Sequence, residues 1–96
     1  MSPSLDPATP HLNRLLDSRA FPKTICPSEV ARALSAAELQ RAGVTSWRDL
    51  MPAMRERAFE LRDEGVLEIL QKGEILPVSQ TMQQTVGPIR LRRKVA

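Results

Sequence analysis

The chain has 96 residues, 42% of them hydrophobic, with one cysteine and a formal net charge of +3. Such a length suits a single domain, since an ordinary core needs about 100 residues, and the apolar fraction excludes a wholly disordered protein. No run approaches the ~18 apolar residues of a membrane span, residues 1–10 lack a secretion signal, and Cys26 has no partner for an internal disulfide, so a cytoplasmic protein is expected.

Residues 1–8 hold Pro3 and Pro7 among small polar residues and are predicted to form a disordered leader to one domain over residues 9–94. Thr9-Pro10 offers a cap and then a proline in the first turn, and Leu12, Leu15 and Leu16 follow at helical spacing. These predict a first helix over roughly 10–19, stopped by Phe21-Pro22. Thr24-Ile25-Cys26 reads as a short extended stretch. A second helix starts at Pro27, with Glu29 suited to its positive end and Val30, Ala31 and Leu34 on one apolar face. Ser35 to Ala42 adds a helical turn or two, closed by Gly43.

The strongest periodicity belongs to the third helix. Ser46 and Asp49 resemble a capping box, and Trp47, Leu50, Met51, Met54, Ala58 and Leu61 recur at three- and four-residue spacing up to Gly65. Pro52 must either kink this helix or mark its true start after an irregular turn. Beyond Gly65 the period changes to two. Val66 to Leu70 is rich in strand formers, Gln71-Lys72-Gly73 reads as a turn, and Ile89 and Leu91 alternate with Arg90 and Arg92. A polar loop of about fifteen residues joins the two strands. Element order and burial together predict an α+β fold, mostly α: a winged helix-turn-helix of three helices and a C-terminal β-hairpin wing. The alternative is a helical bundle with a disordered tail.

Three blocks carry a further signal: Lys23-Thr24-Ile25-Cys26-Pro27-Ser28-Glu29-Val30-Ala31-Arg32, then Trp47-Arg48-Asp49-Leu50-Met51-Pro52, then Gln71-Lys72-Gly73 with Gly87-Pro88-Ile89-Arg90-Leu91. In combination they resemble a bacterial family of short, uncharacterised, winged-helix-like proteins, over roughly residues 11–93. The chain departs from that pattern at Ser35 to Thr45, which reads as an insertion, and in the loop from Glu74 to Val86, which lacks an acidic residue just after Pro77. The resemblance implies the fold and no activity.

Catalytic chemistry finds little to stand on. His11 is the only histidine, too few ligands accompany it and Cys26 for a metal site, and the four glycines are isolated. Cys26 reads as a small buried hydrophobe in the short strand, and Trp47 as core, with stacking on a partner as its alternative. Neither an enzyme nor a cofactor is expected.

Eleven of the fourteen basic residues are arginine, whose planar fork suits phosphates and carboxylates alike. On a wheel of 100° steps Arg48, Arg55 and Arg62 form one stripe beside the apolar arc, next to Phe59, while Asp49, Glu56 and Asp63 form another. Four arginines and five carboxylates between residues 46 and 65 give this helix a net charge of −1, unfavourable beside phosphates. The wing is more basic. The leading expectation is therefore a duplex-DNA-binding module or small transcriptional regulator, contacting DNA through Arg48, Arg55, Lys72, Arg90, Arg92, Arg93 and Lys94. For Arg90 and Arg92, pairing with Glu68 on the adjacent strand is the alternative use. The competing expectation is a protein-interaction module that meets an acidic partner or a second copy through Arg55, Phe59 and Arg62.

Overall fold

Leu12 and Leu16 are the buried positions of the first helix, α1 (Thr9–Ser18), and Ala8 extends their i, i+4 stripe towards the N-terminus. The computed structural model describes residues 3–95. Within them, residues 4–8 are not the disordered leader expected from their prolines. Ala8 is 1% exposed, Leu5 packs against the core, and the Ser4 N–H donates to the Ala42 carbonyl at 3.0 Å. The reason is the stripe: Leu5 and Ala8 continue the apolar face of α1 for one more turn. Met1 and Ser2 lie outside the described residues.

Ile25 is fully buried and exchanges two backbone hydrogen bonds of 2.7 Å with Leu91, so the short extended stretch joins the far end of the chain. The second helix, α2 (Pro27–Arg32), then begins with its proline where no N–H is needed, and the Cys26 N–H donates to Glu29 Oε2 at 2.8 Å. Val30, Ala31 and Leu34 are buried as the periodicity requires. Ser35 to Ala42 is a helix in its own right, α3 (Ala36–Ala42), rather than an extension of α2. Ser35 Oγ accepts from the Glu38 N–H, Glu38 returns the bond to the Ser35 N–H, and Gly43 closes the helix at φ 85°.

Trp47–Leu50 forms a single 3-10 turn, entered through Ser46 Oγ, which accepts from the Arg48 N–H. The long helix, α4 (Met51–Asp63), starts only after it. Pro52 is the second residue of α4 and marks its start; it does not kink it. Met54, Ala58, Phe59, Leu61 and Arg62 are the buried face of α4.

Strands β1 (Leu67–Gln71) and β3 (Arg90–Arg93) pair antiparallel, Ile69 opposite Leu91 and Glu68 opposite Arg92. A third strand, β2 (Glu74–Ile75), was not expected from sequence. It pairs with β1 across Lys72-Gly73, whose φ values of 51° and 81° are those of a hairpin turn with two left-handed residues. The sheet order is β2-β1-β3, with Ile25 bridging the outer side of β3. Leu67, Ile69, Ile89 and Leu91 lie under the helices together with Ile25, Val30, Leu50 and Met54 in one core. The long connection between β2 and β3 includes a 3-10 turn at Met82–Gln84 and returns across α4.

No described helix is long and apolar enough to cross a membrane.

Candidate binding surface

The residues expected to meet a partner divide sharply by how they are engaged. Arg62 is 7% exposed: its guanidinium donates to the carbonyls of Gln80 at 2.6 Å, Val78 at 3.2 Å and Pro77 at 3.4 Å, and to Asp63. Phe59 is 5% exposed, with the Arg62 guanidinium 4.8 Å from its ring centroid. Arg55 donates to the carbonyls of Thr85 at 2.8 Å and Gly87 at 3.0 Å. The arginine stripe of α4 thus grips the returning connection over residues 77–87. The expected protein-docking surface of Arg55, Phe59 and Arg62 is corrected accordingly: Phe59 and Arg62 are interior, because the connection covers the stripe.

The wing arginines are also engaged. Arg92 Nε donates to Glu68 Oε1 at 3.0 Å, as the strand register allows, and its guanidinium stacks 4.5 Å from the Phe21 centroid. Arg93 Nε sits 2.7 Å from Asp17 on α1. Arg90 donates through Nε to the Thr24 hydroxyl at 3.0 Å and through Nη2 to the Thr24 carbonyl at 3.3 Å. Lys72, Lys94 and Arg48 are exposed, and their side chains make no hydrogen bond or ion pair among the described residues. Of the seven residues assigned to DNA, only these three are free of hydrogen bonds and ion pairs among the described residues, and Arg48 lies against Trp47.

Turning Arg55 and Arg62 inward leaves α4 with an acidic outer face. Glu56, Glu60, Asp63 and Glu64 are all exposed there, and the one outward arginine, Arg57, is bound to Glu60 at 3.0 Å and Glu64 at 3.3 Å. A helix with that face entering a groove lined by phosphates meets repulsion from Glu56 to its C-terminal end.

In the 3-10 turn before α4, Trp47 is half-buried, not fully core. The Arg48 guanidinium lies 4.6 Å and that of Arg32 5.6 Å from its ring centroid, so cations from α2 and the 3-10 turn both approach the indole. His11 is structural. Its Nε2 is 3.1 Å from both oxygens of Glu38 and its Nδ1 is 3.1 Å from the Arg14 guanidinium. A guanidinium only donates, so Nδ1 accepts and Nε2 carries the proton towards Glu38. The bond ties α1 to α3. The Ser35 N–H first, and then His11, hold the Glu38 carboxyl below its ordinary value against the opposing effect of burial.

Sequence reading missed an apolar groove of 440 Å³ in which three distant stretches of chain meet. Cys26 and Pro27 form one wall, Met51 and Pro52 the second, and Pro88 and Ile89 the third, with the Arg55 stem between them. Cys26 is only half-buried because it faces this groove, which corrects its reading as interior. Each wall is a proline beside an apolar residue at an element boundary. That recurrence was the signal available in the sequence: a proline starting a helix or approaching a strand offers no N–H and presents a carbon surface. The three walls also fall within the three sequence blocks that carry the family resemblance. Among the described residues no three His, Cys, Asp or Glu side chains group to hold a metal ion.

A family model described as a protein of unknown function, DUF3253, matches residues 6–94, nearly all of the described chain. No curated protein matches it.

Proposed function

We propose that this chain, which belongs to the DUF3253 family, is a winged-helix-type module that binds another protein rather than duplex DNA. The order β2-β1-β3, with Ile25 bridging β3 and a helix-turn-helix between, supports the winged-helix reading. One observation carries the choice of partner class. The helix that would enter a major groove presents Glu56, Glu60, Asp63 and Glu64 outward and spends its inward arginines on backbone carbonyls. Protein interfaces tolerate both charge signs and gain from apolar pockets with arginine at their edge, which is what the groove at Met51 and Pro88 supplies.

The duplex-DNA reading keeps one observation in its favour, the exposed charges of Arg48, Lys72 and Lys94, which make no ion pair among the described residues. Fluorescence anisotropy of a labelled random-sequence duplex at about 50 and 200 mM salt separates the two. The expected result is no saturable binding at micromolar protein at either salt. Binding that collapses at the higher salt, and that Arg48→Glu or Lys72→Glu abolishes, would overturn the protein-binding reading.

A further inference from the structure

Resting on the protein-binding reading, we propose that the groove between Pro27, Pro52 and Pro88 receives an acidic peptide of another protein, which seats apolar side chains on the groove floor and turns its carboxylates to the surrounding arginines. The floor is almost wholly carbon. Cys26, Pro27, Met51, Pro52, Pro88 and Ile89 supply it, and Pro52 and Pro88 are exposed. No carboxylate lines it. Arg55 is the charged side chain in its lining; in the chain, Arg90 directly follows the lining residue Ile89, and Arg48, which lies against Trp47, stands three residues before Met51.

These arginines have donors to spare. Arg55 uses two N–H groups on Thr85 and Gly87, Arg90 uses two on Thr24, and the Arg48 guanidinium makes no hydrogen bond among the described residues. A guanidinium has five N–H donors, so each retains several for a carboxylate. The nearest acid on the adjoining helix turn, Glu29, is already committed. Burial alone would raise its carboxyl, but the Cys26 N–H, Arg19 and the nearby charge of Arg90 overcome this and hold it below its ordinary value.

Other occupants fit the same geometry less well. A second copy related by a two-fold axis would bring this rim against itself, arginine facing arginine, since such an interface uses one patch twice. A small polar metabolite finds no converging polar groups on the floor to orient it. Nucleic acid gains nothing from a floor without donors. A peptide with two or three apolar anchors and flanking Asp or Glu matches both the floor and the rim.

The test is display selection of random 12-residue peptides on the full chain, followed by anisotropy of the enriched peptides after synthesis and labelling. Enriched sequences should pair apolar residues with Asp or Glu. Their affinity should fall about tenfold or more with Pro52→Glu and with Arg90→Glu, and be kept or improved with Pro52→Lys. Pro52 is exposed in the first turn of α4, where Glu is compatible with the helix, so an unchanged melting curve accompanies the loss. Enrichment of basic peptides, no enrichment, or affinities indifferent to Pro52→Glu would overturn the proposal. So would a concentration-dependent dimer in sedimentation that Pro52→Glu dissolves, which would make the groove a self-interface. None of these outcomes is the salt-sensitive duplex binding that would overturn the protein-binding reading itself.

Discussion

Arg62 meets the carbonyls of Pro77, Val78 and Gln80 and lies over Phe59, so one guanidinium holds the returning connection on α4. A charge-assisted hydrogen bond contributes about 1.5–3 kcal/mol net, and the loose carbonyls left by truncation are near enough to solvent to recover part of that. Arg62→Ala is expected to lower unfolding stability by about 2 kcal/mol in denaturant titrations and to speed amide exchange over residues 76–88. Arg62→Lys should recover less than half, because a single ammonium cannot reach three carbonyls. A loss below about 0.5 kcal/mol would show that the connection holds itself in place. The wheel correctly put Arg55 and Arg62 on one stripe, yet it is blind to what lies opposite a stripe. Residue type, not position, suggested phosphates, and arginine serves carbonyls equally well. Glu38 gives a pH-dependent counterpart. Its folded-state carboxyl is depressed below 4.5, so its contribution is complete above that value and is lost as pH falls through the lower, folded-state one. In a His11→Gln background, which leaves Arg41 at 4.0 Å and the Ser35 N–H as its facing groups, the stability gap between Glu38 and Glu38→Gln should hold near neutrality and close in acid. A gap that widens in acid would contradict the pairing.

Helix and strand positions were legible wherever apolar spacing or a cap spoke for itself. Val30, Ala31 and Leu34 were placed on one face, Ile89 and Leu91 on another, and all are buried. Two elements escaped because their signals are local and weak. β2 has only two residues, both exposed, and exists because Lys72-Gly73 turns the chain tightly back onto β1. α3 reads as a continuation of α2 until Ser35 and Glu38 are seen to cap each other. For Pro52 the sequence allows two geometries that differ in energy. Within a continuous helix a proline costs about 3 kcal/mol, whereas near the first turn its missing N–H is not needed. As the second residue of α4, Pro52→Ala should change stability by less than about 0.5 kcal/mol. A gain of about 3 kcal/mol would mean the helix runs through it from Trp47. Gly43→Ala should cost about 1 kcal/mol, because Gly43 closes α3 at φ 85°, and thermal melts measure it without any contact being lost.

Across the whole molecule, the first and last thirds of the chain are joined by a few particular bonds rather than by sequence neighbours. Ile25 pairs with Leu91, Arg90 holds Thr24, Arg93 reaches Asp17, and Arg92 covers Phe21. None of these long-range pairings was legible, since no local pattern specifies which distant strand will accept a hydrogen bond. They also explain why so few wing arginines are left for a partner: the wing is fastened to the body by its own charges. Such fastening makes a single cooperative unit the expected behaviour. Trp47, the only tryptophan, reports on it from the helical side, between Arg32 and Arg48 and far in sequence from β3. Leu91 is 1% exposed on β3, between Ile69 of β1 and the bridging Ile25. Leu91→Ala removes packing from Ile25 and Ile69 alike and should cost about 2–5 kcal/mol. Trp47 fluorescence and far-ultraviolet circular dichroism should then shift to the same lower denaturant midpoint, although the substitution lies more than forty residues from the fluorophore. If the dichroism moves while the Trp47 transition stays, the helices before β1 unfold as a separate unit, and the Ile25–Leu91 pairing does not couple the two ends of the chain.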